Sequence, residues 1–205
     1  MPRIARIARA TLLATIGLAI SAPVAGAACP SRAFSPVFAP WGDLGAYTAA
    51  PNGGFESGLD GWTVSGAARL VDDNAGLVAG SAMGVHALEL PPGSSVTSPR
   101  ICVSAGYPTS RMFGHTTVRN PLTGSTLQVD VLYTERTRGS ASSKKLGTIP
   151  DRLVWDATRK LSIAQGQLNI KPDSDGNTYV SYRFTPLYKT TWRIDDLYVD
   201  PRMKG

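Results

Sequence analysis

The chain has 205 residues with 21 basic and 15 acidic side chains, 21 glycines, 15 prolines and two cysteines. That length fits one domain. The formal charge of +6 includes three arginines of the opening segment and is mild once they are removed, and no basic cluster interleaves with aromatics, so a nucleic-acid partner is not implied.

The first 27 residues read as a signal peptide. Arg3, Arg6 and Arg9 form a basic region, residues 11–20 a short apolar run, and Ala25 and Ala27 an A-x-A that places the cut before Ala28. The run is too short to span a bilayer and no later stretch is long enough. A secreted, extracellular or cell-envelope protein is expected, as a monomer. Residues 28–50 form an N-terminal leader segment packed on the domain, 51–201 the domain itself, and 202–205 a tail.

Cys29 and Cys102 make an even pair, most simply one disulfide in an oxidising compartment. For so long a loop the chain-entropy estimate is about 4 kcal/mol. The alternative is lipidation of Cys29, but "AGAAC" lacks the large aliphatic residue usual three positions before a lipidated cysteine, and Cys102 would be stranded.

The stretch "PNGGFESGLDGWTVSG" (51–66) is dense in glycine and turn-prone. After it come short alternating runs. "ALEL" (87–90) precedes the turn "PPGSS", and "SVTSPRICV" follows. "STLQVDVLYTE" alternates cleanly, with Leu127, Val129, Val131 and Tyr133 on one face and Gln128, Asp130 and Thr134 on the other. The basic run Arg136, Arg138, Lys144, Lys145 sits among Gly, Ser and Thr and reads as a solvated loop rather than a patch for anionic cell-wall polymer. "RLVWDATRKLSIAQG" shows period two on either side of a break, not a helical stripe. "QLNI" leads into "KPDSDGN", an Asp-Gly hairpin turn rather than a calcium loop. In "TYVSYRFTPL", Val180, Tyr182 and Phe184 share one face, and Tyr179, Ser181 and Arg183 the other. In "TTWRIDDLYVDP" the pairs Trp192/Ile194 and Leu197/Val199 differ in parity although both look like core, which requires a β-bulge near Asp195 and Asp196. Short strands broken by Gly/Pro turns indicate an all-β fold, a two-sheet antiparallel β-sandwich.

"NGGFESGLDGW" near the start of the domain and "WRIDDLYVD" at its end resemble the galactose-binding-like jelly roll, and are most similar to carbohydrate-binding modules of families 4, 9 and 22. Those open with N-x-x-F-E-x-G-x-x-x-W, here Asn52, Phe55, Glu56, Gly58 and Trp62, and close with an I-D-D strand, here Ile194, Asp195 and Asp196. The leader, with Cys29, Pro30, Pro40, Trp41, Asp43 and Tyr47, is similar to that of a group of uncharacterised exported bacterial proteins. The resemblance implies that the first and last strands lie together, often around a structural calcium. Glu56, Asp195 and Asp196 would supply carboxylates, and Gly53 and Gly54 would let backbone carbonyls turn inward. Otherwise Glu56 binds turn amides, and Phe55 and Trp62 fill the core.

Catalytic machinery is not spelled out. There is no G-x-S-x-G elbow, H-E-x-x-H or P-loop, and the two histidines, His86 and His115, stand far apart in sequence. A non-enzyme is expected, unless a cleft brings a histidine to an acid and a hydroxyl. Sugar sites combine flat aromatics with polar groups. The off-face and loop candidates are Tyr107, Arg111, Gln128, Asp130, Tyr179 and Arg183, while Trp41 and Tyr47 would staple the leader onto the sandwich. Two readings follow: an exported module binding cell-wall or environmental polysaccharide, or a cell-envelope structural or protein-interaction domain. The first expects an exposed aromatic platform on one sheet face, the second a face without one.

Overall fold

Alternating sequences fold as strands, and two sheets bury their apolar sides against each other. A computed structural model describes residues 29, 31–76, 84–103, 108–162 and 168–200. The signal peptide, Tyr107 and the tail lie outside the described residues. The strands are β1 (Thr48–Ala49), β2 (Thr63–Ser65), β3 (Arg69–Asp72), β4 (His86–Leu90), β5 (Ser95–Thr97), β6 (Ile101–Val103), β7 (Thr109–Val118), β8 (Thr126–Thr134), β9 (Ala141–Pro150), β10 (Asp156–Ala157), β11 (Thr178–Leu187) and β12 (Thr191–Asp200). Among the described residues no helix is long and apolar enough to cross a membrane.

The first sheet runs β10-β7-β12-β4-β3, with β1 beside the end of β12, and the second runs β2-β5-β11-β8-β9, with β6 beside β11. Every pairing is antiparallel. The chain crosses repeatedly between the sheets, giving a jelly-roll β-sandwich. Between them lie Leu88, Leu90, Met112, Trp192 and Ile194 from the first sheet and Val96, Val129, Val131, Val180, Tyr182 and Phe184 from the second.

The expected bulge is present. Asp195 pairs with Phe113 and Tyr198 with Arg111, so β12 carries one extra residue there. Asp196 takes φ 49°. Trp192, Ile194, Leu197 and Val199 are consequently all buried.

The opening stretch is a structural clasp against this bulge. Asn52 organises it: its Oδ1 accepts the Ser57 N–H, and its Nδ2 donates to the carbonyls of Gly58 and Asp60. Trp62 Nε1 donates to the Asn52 carbonyl, and Trp62 packs on Phe55 with ring centroids 4.8 Å apart. Asn52 and Phe55 both have positive φ, 48° and 60°, a conformation that costs about 1–2 kcal/mol for an L-residue. Burial of the Phe55 and Trp62 rings offsets it. Leu197 donates to the Gly53 carbonyl at 3.1 Å and accepts from Ala50 at 2.8 Å. A Cβ on Gly53 would lie 2.7 Å from the Leu197 carbonyl oxygen, so only glycine allows this approach.

A second apolar cluster lies on the outer face of the first sheet. Phe38 and Tyr47 of the leader pack with Phe113, Ala75 and Ala157. Phe38 stacks on Phe113 at 5.4 Å and meets Tyr47 edge-on at 5.0 Å. Trp41 Nε1 donates to Asp156. The Cys29–Cys102 disulfide is formed and ties the start of this segment to β6.

Two strands depart from expectation. β7 is central and ten residues long, yet its residues are buried nearly throughout the first eight positions, because the leader covers its outer side. Without a solvent face it shows no alternation. The basic run is not wholly a loop, since Lys144 and Lys145 belong to edge strand β9, paired to Val131 and Asp130 of β8. "DSDGN" is a turn, in which Asp173 accepts the amides of Asp175 and Asn177 and Gly176 has φ 83°, but not the expected hairpin: Ile170 before it bridges Glu135, while β11 pairs with β5, β6 and β8.

Asn52→Ala should destabilise the domain by about 1–3 kcal/mol through the lost hydrogen bonds and the strain of φ 48°. Asn52→Gly should lose less, since glycine relieves the strain. Urea unfolding of both variants checks this; equal losses would show that backbone strain plays no part.

Candidate functional site

With the leader on the first sheet, the outer face of the second sheet holds a groove of about 380 Å³. Its floor follows the antiparallel register. Ser181 of β11 lies beside Leu132 of β8, which lies beside Ser143 of β9. The next row is Arg183, Asp130 and Lys145. Because the inward residues Val180, Tyr182 and Phe184 are buried, the alternate positions Tyr179, Ser181 and Arg183 must face outward. All three line the groove. From Tyr179 to Arg183 the strand spans about 13 Å, longer than one pyranose ring.

Cations flank the tyrosine. The Arg100 guanidinium lies over the Tyr179 ring, 4.4 Å from its centroid. Lys171 is placed by its backbone, whose N–H donates to the Thr134 carbonyl at 2.8 Å. Arg183 pairs with Asp130 at 3.2 Å, and Gln128 Nε2 donates to both oxygens of the same carboxylate at 3.0 and 3.2 Å. The face therefore presents an aromatic ring, hydroxyls and hydrogen-bond donors, the combination that recognises a polyol with an apolar ring face.

Of the residues anticipated from sequence, Tyr179 and Arg183 line this groove, and Gln128 and Asp130 form the polar chain beneath Arg183. Arg111 is elsewhere. It is 8% exposed, under the leader on the first sheet. There it donates to the Thr158 carbonyl and to Asp43, with its guanidinium 4.5 Å from the Phe38 ring centroid. Arg111 thus ties the leader to the sheet and lines a second hollow with Gly42, Asp43, Leu44 and Lys160, apart from the groove. Its off-core parity was read correctly, and a packed leader was expected, but not which sheet face that leader would cover. Arg100 and Lys171 were missed because they enter only through the pairing of β6 with β11 and the path of the β10–β11 connection. No local sequence pattern announces either.

At the corner where the chain's opening meets its last strand, Gly54, Asp195 and Asp196 are together. A Cβ on Gly54 would sit 2.9 Å from Asp196 Oδ1 and 3.8 Å from Asp195 Oδ1. Asp195 is buried, and its oxygens accept the amides of Ala75 and Asp196. Burial, then the charges of Asp196 and Glu56, push its carboxyl up to about 8 against the pull of those two amides. Glu56 is turned toward the start of β4, where its Oε1 accepts the amides of Val85 and His86. Among the described residues no three His, Cys, Asp or Glu side chains form a metal-holding group.

The histidines each meet an acid. His86 Nδ1 is 3.6 Å from Asp72, and His115 Nε2 is 3.5 Å from Asp73. Asp73 also accepts from Arg193 and from Trp155 Nε1. Burial holds the His115 ring below its usual range despite Asp73. Among the described residues His86 Nδ1 and His115 Nε2 have no hydrogen-bond partner.

No protein-family model matches the chain and no curated protein matches it. Solved structures do. A family 61 carbohydrate-binding module in complex with beta-1,4-galactotriose is 20% identical over 75% of this chain and 98% of its own, with a TM-score of 0.45. A family 16 carbohydrate-binding module is 14% identical over 75% and 99%, TM-score 0.47. The CBM22-1 xylan-binding domain of Paenibacillus barcinonensis Xyn10C is 11% identical over 74% and 93%, TM-score 0.46. The site is therefore read from this chain's own residues.

The raised Asp195 carboxyl makes stability depend on pH. The folded chain holds a proton that the unfolded chain releases above about 3.8. This contribution is full below that value and is lost as pH rises toward about 8. In calcium-free buffer the thermal midpoint should fall across this window, and Asp195→Asn should flatten the fall. An unchanged slope in the variant would assign the dependence to other groups.

Proposed function

We propose that this is an exported, non-catalytic polysaccharide-binding module whose ligand lies along β11 on the outer face of the second sheet. The observation that carries the proposal is Tyr179, facing outward in a groove with Ser181, Ser143 and Arg183 around it. A flat ring beside hydroxyls and guanidinium donors suits the apolar face and hydroxyl rim of a pyranose. The alternative, an envelope structural or protein-interaction domain, expects a face without an aromatic platform. The disulfide supports export, since such bonds persist in oxidising compartments.

Binding should be measured by affinity electrophoresis or calorimetry against soluble and insoluble polysaccharides, using residues 28–205. Retention on a glycan, weakened at least about tenfold by Tyr179→Ala with the thermal midpoint unchanged, is the expected result. Absence of retention on every glycan would favour the protein-interaction reading.

The same proposal places a structural calcium at the Asp195–Asp196 corner. Its support is the acidic pair, with no basic partner to Asp195 among the described residues, and the space kept by Gly54. With Glu56 occupied by two amides, most of the six to eight oxygens would be carbonyls and water, which suits a weak extracellular site of about 10⁻⁴–10⁻³ M. Binding would require Asp195 to ionise and so would release a proton. Calcium should therefore raise the thermal midpoint more at pH 8 than at pH 6, and Asp196→Asn should abolish the rise. A midpoint insensitive to calcium at both pH values would remove the ion from the proposal.

A further inference from the structure

The charge of the groove narrows the ligand. Among the described residues Arg100, Lys171 and Arg183 line it, and no carboxylate does. Asp130 lies below them, its side chain 7% exposed, and is engaged by Arg183 and Gln128. Arg183 is thus largely compensated. Arg100 and Lys171 are not: both are exposed, and among the described residues neither has an acidic partner.

Neutral sugars need hydrogen-bond donors and acceptors together, for a hydroxyl offers both. Guanidinium and ammonium groups only donate, and they carry charge that a neutral sugar leaves unmatched. The Arg100 guanidinium is further placed over the Tyr179 ring, 4.4 Å from its centroid, which limits the rotamer freedom lost on binding. A planar fork of donors fits a planar carboxylate. A carboxylate carried on a pyranose ring would meet the cation while the ring itself meets the aromatic edge of the groove.

Resting on the glycan-binding reading above, we propose that the groove selects a polyuronate, a polysaccharide whose sugar rings bear carboxylates. Arg100 and Lys171 recognise the carboxylates, and Tyr179 with Ser181 and Ser143 receives the rings. The cations are solvent-exposed, so their part of the affinity is screened by salt, whereas the ring contact persists.

The test compares polygalacturonate with the same polymer after carboxyl reduction, and with polyglutamate as a ring-free polyanion, at low and high salt. Expected is retention on polygalacturonate that weakens with salt, little retention on the reduced polymer, and less on polyglutamate. Lys171→Gln and Arg100→Gln should each weaken polygalacturonate binding about tenfold, one lost charged hydrogen bond, and Tyr179→Ala should do so at least as strongly. Thermal midpoints verify that each variant is folded, and Lys171, on a connection outside the sheets, serves if Arg100→Gln is not. Equal binding of the reduced polymer would overturn the polyuronate inference and leave the glycan-binding reading standing. Equal binding of polyglutamate, unaffected by Tyr179→Ala, would reduce the groove to a charged surface and overturn both. Failure to bind any glycan, neutral or acidic, would overturn the glycan reading and this inference with it.

Discussion

A single extra residue in β12 sets the geometry of this sandwich. β12 is flanked by β7 along one edge and by β4 and then β1 along the other, so whatever it does the first sheet must follow. With strict alternation either Trp192 and Ile194 or Leu197 and Val199 would point away from the core. The bulge lets all four point in. Its by-product is a buried acid, Asp195, next to Asp196 in the left-handed region. Its second consequence is a site where the opening loop can close on the last strand, through Gly53 and Leu197. The strained positions Asn52, Phe55 and Asp196 all belong to this one junction, so the clasp and the bulge hold each other in place.

The leader makes the two faces of the sandwich unequal. Phe38 and Tyr47 bury themselves on the outer side of the first sheet, with Arg111 and Asp43 paired beneath them. Burial opposes ionisation of Asp43, but hydrogen bonds from Tyr47, the Gly45 amide and Arg111 outweigh it and hold the carboxyl below its usual range. A charged pair left alone in such a place would be destabilising; here the guanidinium also donates to the Thr158 carbonyl and packs on Phe38. The leader leaves on this side only a hollow lined by Gly42, Asp43, Leu44, Arg111 and Lys160. The groove on the second sheet keeps its solvent side.

Parity made much of this readable from the sequence. The alternation of β8 and β11 and the conflict between Trp192/Ile194 and Leu197/Val199 each have one physical explanation, and the folded chain adopts it; the Asp-Gly turn before β11 forms, but without the hairpin that local grammar implies. Parity also put Tyr179 and Arg183 on one outward face. It failed where a strand has no solvent face, as in β7, and where an edge strand is built from Ser and Lys, as in β9. It also could not say which outward face stays open, and so Arg111 and Tyr179 looked alike. Arg100 joins Tyr179 only because β6 lies against β11 in the register Cys102 to Tyr179, a long-range fact that no window of sequence contains.

The division of labour along β11 explains how the outer face of the second sheet can vary without unfolding its domain. Val180, Tyr182 and Phe184 are fully buried, and replacing any of them by alanine would open a cavity costing about 2–5 kcal/mol. Tyr179, Ser181 and Arg183, interleaved with them, face the groove; their side chains meet Arg100, the Pro99 carbonyl and Asp130 rather than the core, so substitutions there should cost less than core truncations. The strand's two-residue period thus separates the two roles at the smallest possible distance. Arg100 and Lys171 belong to neither row; Arg100 reaches the outward row only through the Tyr179 ring, and neither side chain pairs with the Asp130 carboxylate that steadies Arg183.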